Sequence, residues 1–182
     1  MGDGNINLLE VLYLKKHTID FSLGKMKEIY DNNIFPKVEK GEKKVVTGSD
    51  IGEGAWLISC HGELFFLEVT SFFDTLARNL TANQDLKKDI YFQNWIEWQY
   101  KHNNDDFIRF LKMQLDNWYI DFKMIRNKIT HQSHLYREIE SLLHIESGEK
   151  GKLEALTMMI GENKIELVDY CKDIQNKLED MM

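Results

Sequence analysis

The sequence predicts an all-α protein built as an antiparallel helical bundle, and three observations carry that prediction. The 182 residues hold a single proline, Pro36; aromatic residues make up 12% of the chain; and long stretches repeat their apolar residues with a period near 3.6. Proline breaks a helix by removing a backbone donor and clashing with the preceding turn, so one proline leaves room for long helices. With 43% hydrophobic residues, the chain has enough apolar material for one core, and a single domain over residues 1–182 is expected.

The first segment, residues 1–33, predicts an N-terminal helix over 7–32. Leu12, Ile19, Leu23, Met26 and Tyr30 recur at helical spacing, and Asn32, Asn33 and Pro36 supply the stop. Residues 34–55 read as a flexible, solvated loop. Lysines and glutamates crowd 37–44, and Gly41, Gly48, Gly52 and Gly54 interrupt any pattern, with a short strand expected at Val45 and Val46.

Residues 56–182 form the predicted bundle. Leu57, Cys60, Leu64, Phe65, Val69, Phe72, Phe73, Leu76 and Leu80 predict a central helix over 56–80. Thr81 and Gln84 then fit a capping box for a helix carrying Ile90, Tyr91, Trp95, Trp98 and Tyr100. Asn103, Asn104 and Asp105 offer the next cap. After them Leu111, Leu115, Trp118, Phe122, Ile125 and Ile129 step by 4, 3, 4, 3 and 4, the most regular helical run in the chain. A shorter helix is expected over about 134–145. A turn at Gly148 and Gly151 precedes a last helix with Leu153, Leu156, Ile160, Leu167, Cys171, Ile174 and Leu178 on one side.

Two cysteines, Cys60 and Cys171, lie far apart without CxxC or metal-like spacing. That fits two reduced thiols in a reducing cytosol, with a single disulfide as the alternative. The N-terminus lacks a basic segment followed by an apolar one, and no run approaches the roughly 20 apolar residues of a membrane span, so a soluble, cytoplasmic protein is expected. The formal net charge of -7 argues against sequence-independent binding of long duplex DNA, which needs many phosphates neutralised.

Against this acidic background, the window Lys123–Arg137 contains Lys123, Arg126, Lys128 and Arg137 and no Asp or Glu. Within it, Arg126-Asn127-Lys128-Ile129-Thr130-His131 combines a permanent cation, an amide and a residue type that changes charge near neutral pH. Such a set can hold a phosphate and move a proton beside it, as attack of a ribose 2′-hydroxyl on its neighbouring phosphate requires. In a straight α-helix, residues 126 and 131 would lie about 140° apart around the axis and about 7.5 Å apart along it. One phosphate can meet both only if the backbone loosens over Thr130–Ser133 or a second copy of the chain completes the site.

Arg-Asn-x-x-x-His at the end of an amphipathic helix resembles the Arg-x(4 to 6)-His signature of HEPN domains, and the aromatic helix at 56–80 is similar in kind to one found upstream of it. The resemblance covers residues 56–182; the N-terminal 55 residues and the Gln132-Ser133-His134 continuation lie outside the family pattern. It implies a homodimeric helical bundle whose two motifs line a shared cleft and cleave RNA without a metal or other cofactor. Arg126 would anchor the phosphate, His131 would act as general acid or base, and Asn127 would orient them. Lys123, Lys128, His134 and Arg137 would bind substrate. An antitoxin or nucleotidyltransferase is the kind of partner protein implied. The alternative is a non-catalytic module of the same type that binds a nucleotide or a protein. Without either, Arg126 and Lys128 would simply complement the negative end of their helix.

Other constellations rank lower. His131, His134 and Glu138 at i, i+3 and i+7 could present metal ligands, but a solvated helix face explains the pattern more simply. Tyr91, Phe92, Trp95, Trp98 and Tyr100 invite base stacking, although aromatics at this spacing more often form core or dimer interface. Cys60 and His61 are neighbours in a helix and do not face each other, so Cys60 reads as a buried structural thiol.

Overall fold

The structure is a computed structural model of the chain. It describes residues 7–32, 44–47, 53–81, 91–103, 105–131, 134–135, 139–144, 152–160 and 162–181. Helices dominate: α1 (Leu8–Asn32), α2 (Glu53–Thr81), α3 (Phe92–His102), α4 (Asp106–Gln114), a π-helical segment (Leu115–Tyr119), α5 (Ile120–His131) and α6 (Leu167–Glu179). Four strands accompany them: β1 (Lys44–Thr47), β2 (Ile139–His144), β3 (Lys152–Ile160) and β4 (Asn163–Glu166). The chain divides into two compact units, one of Met1–Thr18 with Phe66–Arg126, the other of Ile19–Phe65 with Asn127–Met182.

The first unit is helical, and its core is aromatic. Phe73 lies fully buried with its ring 4.6 Å from Phe92, 4.8 Å from Tyr119 and 5.7 Å from Trp118, between centroids. Helix ends here are closed by side chains. Asp105 caps α4, its carboxylate accepting from the Ile108 N–H at 2.8 Å, as the sequence predicts. Asp74 of α2 reaches the start of α3, where its Oδ1 accepts from the Phe92 N–H at 3.0 Å. Thr81 departs from expectation. It is the last residue of α2, and its hydroxyl donates to the carbonyls of Ala77 and Arg78 instead of capping a following helix. Gln84 and Ile90 lie outside the described residues.

The second unit combines helix and sheet. Along α1, Ile19, Ser22, Leu23 and Met26 are buried at i, i+3, i+4 and i+7, the stripe expected of an amphipathic helix. Gln175 of α6 donates to Asp20 of α1 at 2.7 Å. Gly62, buried in α2, allows a close approach: a Cβ there would stand 2.4 Å from Leu135 Cδ2 and 3.4 Å from Met26 Sδ. A helix-interior glycine costs about 1 kcal/mol relative to alanine, so its presence reflects the space Leu135 needs.

The sheet is antiparallel throughout, in the order β1-β2-β3-β4. Val45 pairs with Leu142, Ser141 with Leu156 and Met158 with Ile165, and the register of β2 shifts at Leu142/Leu143. Strand β1 falls where a short strand was expected. Strands β2 and β3 correct the helices expected over 134–145 and from Leu153 onward; the last helix begins only at Leu167, behind the Glu166 cap. Leu, Ala, Met, Lys and Glu favour helix locally, and Leu153 with Leu156 imitates its period. The alternation of buried Leu156 and Met158 with less buried Thr157 and Met159 is the period-2 signal that long-range pairing follows. The loop predicted over 34–55 lies mostly outside the described residues, as do Gly148 and Gly151.

Both cysteines are free thiols. Cys171 is buried, and burial pushes its thiol well up. Cys60 is exposed, which corrects the expectation of a buried structural thiol. The inward face of α2 runs through Ile58, Gly62 and Phe65, and Cys60 lies two residues, about 200°, from Ile58 around the helix.

Candidate functional site

The motif sits on a helix that runs from Asp106 to His131 with a π-helical turn in its middle. There the Ile120 N–H donates to the Leu115 carbonyl five residues back, which inserts one residue into the turn. Within this turn Trp118 and Tyr119, consecutive in sequence, are both buried, 5% and 1% exposed.

The Tyr119 hydroxyl makes no hydrogen bond among the described residues. Burial pushes its phenol far above the ordinary tyrosine range, the charge of Asp74 pushes the same way, and the charge of Arg126 opposes both. A buried hydroxyl without a partner carries its desolvation penalty uncompensated, of order 1–3 kcal/mol. Tyr119→Phe is therefore expected to keep or raise stability by up to about 1 kcal/mol in a urea titration. A loss larger than that would mean the hydroxyl is bonded in solution.

Of the predicted site residues, Arg126 is half-buried, while Asn127, Lys128 and His131 are exposed. Buried Ile129 fixes which side of this last turn faces inward. Helix α5 continues through His131, so Thr130 and His131 are not loosened; Gln132 and Ser133 lie outside the described residues. His131 follows Arg126 by five positions along the helix, and the two therefore stand on different faces of α5, about 140° apart. Lys128 and His131 occupy its last turn, where positive charge suits the negative end of the helix.

The second-tier residues separate. Lys123 is half-buried, its ammonium 3.4 Å from Gln93 Oε1 and 5.6 Å from the centre of the Tyr91 ring. His134 is 80% exposed and stands 3.4 Å from Glu63 Oε1 through Nδ1. The same Glu63 oxygen accepts from the Leu135 N–H at 2.8 Å, tying the chain just past α5 to α2. Arg137 and Glu138 fall outside the described residues, so the third ligand of the His131, His134, Glu138 pattern has no described position. Among the described residues, no three His, Cys, Asp or Glu side chains gather as a metal site.

The aromatic run also divides. Phe92 and Trp95 are core, while Tyr91, Trp98 and Tyr100 are exposed, and the Trp98 ring is stacked on His102 at 4.4 Å. Three features escaped the sequence reading: the π-helical turn, the contact of Asp74 with α3, and the seating of Lys123 over Tyr91. Nothing in the residue order distinguishes the first, since the adjacent buried aromatics Phe65–Phe66 and Phe72–Phe73 sit in regular α-helix. No helix among the described residues is long and apolar enough to cross a membrane. No protein-family model, curated protein or solved structure matches the chain.

Proposed function

We propose that this chain is a HEPN-like nucleic-acid-processing protein, a metal-independent endoribonuclease that uses Arg126 and His131 in a cleft shared by two copies. The observation that carries the reading is the placement of Arg126, Asn127 and His131 over the last six residues of α5, with Asn127, Lys128 and His131 open to solvent. In this reading Arg126 holds the phosphate and stabilises the charge that develops on it. His131 takes or returns the proton of the ribose hydroxyl, and Asn127 orients both. Lys128 adds positive charge beside the substrate backbone.

The helical path of α5 supports the shared cleft in this reading. Because α5 stays helical through His131, one copy turns Arg126 and His131 to different faces, and a second copy supplies the missing partner for each. That same divergence favours one alternative, a non-catalytic module whose exposed Asn127, Lys128 and His131 bind a nucleotide or a protein partner, including one of antitoxin or nucleotidyltransferase type. The two readings part in one assay. Purified protein incubated with several RNAs in excess EDTA should cleave them, and His131→Ala should not; well-folded, dimeric protein that leaves every RNA intact would exclude the enzyme.

A further inference from the structure

We infer that Tyr91 and Lys123 form a subsite for one nucleotide of single-stranded RNA, the tyrosine ring stacking on the base and the lysine meeting the adjoining phosphate. The inference rests on the RNA-directed reading above and specifies the kind of RNA the chain takes. Tyr91 is the N-cap residue of α3, with an extended backbone, and its side chain makes no capping hydrogen bond. The residue is 48% exposed. Lys123 is held over this ring by two contacts, 5.6 Å to its centre and 3.4 Å to Gln93 Oε1. A base taking the place of the cation over this ring would push the ammonium toward the adjoining phosphate, so the pair matches a nucleotide in both its parts. The base offers a π-face to stack, and its phosphate offers an anion.

Two neighbours narrow the assignment. Asp74 already accepts from the Phe92 N–H at the start of α3, so a phosphate is steered away from that helix end and toward Lys123. Arg126 follows Lys123 by three residues on α5, within one turn, so the two cations occupy neighbouring positions on one side of the helix. The other aromatics are less suited. Phe92 and Trp95 are buried, and Trp98 is stacked on His102. Stacking on a single tyrosine ring requires an unpaired base, which selects single strands over duplex.

The test uses full-length His131→Ala protein, which should bind RNA without cutting it, and fluorescence anisotropy with labelled oligouridine and oligoadenosine. Wild-type protein with 2′-O-methyl oligonucleotides, which lack the attacking hydroxyl, provides the second measurement. Tyr91→Leu in either background should weaken single-strand binding by about tenfold, while Tyr91→Phe should leave it near the parent value. Lys123→Gln should reduce the slope of log K against log salt by about 0.7. Tyr91→Leu binding as tightly as its parent, duplex binding as tightly as single strand, or no binding by either parent would overturn the subsite. Tight, Tyr91-dependent binding by a wild-type protein that never cleaves would uphold the subsite and dismiss only the nuclease. Cleavage with unchanged KM in Tyr91→Leu would do the reverse.

Discussion

His131→Ala is expected to lower the RNA cleavage rate by about 10²- to 10⁴-fold, the range removed with a positioned acid or base, while leaving the melting temperature near that of the parent. The side chain is exposed at the end of α5, so its loss opens no cavity. Arg126→Ala should slow cleavage by about 10²- to 10³-fold, because a cation aimed at developing charge contributes on that scale. The two variants also test the shared cleft together. If each site takes Arg126 from one copy and His131 from the other, a mixed dimer of Arg126→Ala and His131→Ala chains contains one intact site. Random mixing makes about half the dimers mixed, and each then has one site of two, so about a quarter of parental activity should return. A mixture as inactive as its parts would show that both groups act from the same copy, which the helical path of α5 disfavours.

Phe73→Ala is expected to remove about 3–5 kcal/mol of stability, the range for truncating a buried aromatic residue. Its ring meets those of Phe72, Trp118 and Tyr119 edge-on, at interplanar angles of 82°, 63° and 67°, and lies tilted against Phe92. Such edge-to-face pairs each add about 0.5–1.5 kcal/mol beyond burial, so one truncation disturbs several contacts at once. Urea unfolding followed by tryptophan fluorescence reads the loss directly, since Trp118 is among the rings in contact. Phe73→Leu should cost clearly less than Phe73→Ala. A loss below about 1 kcal/mol for the alanine variant would mean that this cluster does not organise the helical unit.

The helices up to His131 were legible because one local signal dictates them. Apolar spacing marked α1, α2, α3 and the helix ending at His131, and Asp105 announced its own cap. Strands β2 and β3 were not legible, because Leu, Ala, Met, Lys and Glu favour helix locally and their strand form comes from partners distant in sequence. Cys60 was misplaced for a smaller reason: an apolar list drawn along α2 did not separate residues on opposite sides of its circumference. At the candidate site, the motif residues were readable as a string. The company they keep was not. Nothing in the order of residues announces that Lys123 rests over a tyrosine 32 positions earlier, or that Glu63 holds both His134 and the Leu135 amide.

The register of the sheet sets an order of events in folding. Strand β1 pairs with a β2 about a hundred residues later, whereas β3 and β4 are joined by only two residues, so the hairpin can form early while the β1 edge must wait for a far longer loop to close. Until β1 arrives, one side of β2 presents unpaired amides to any passing strand. Pulsed hydrogen exchange during refolding should therefore protect the β3–β4 amides before those of β1, and simultaneous protection would contradict that order. The short Lys44–Thr47 segment thus acts as a closing edge, and the interval before it docks is when this chain is most exposed to aggregation.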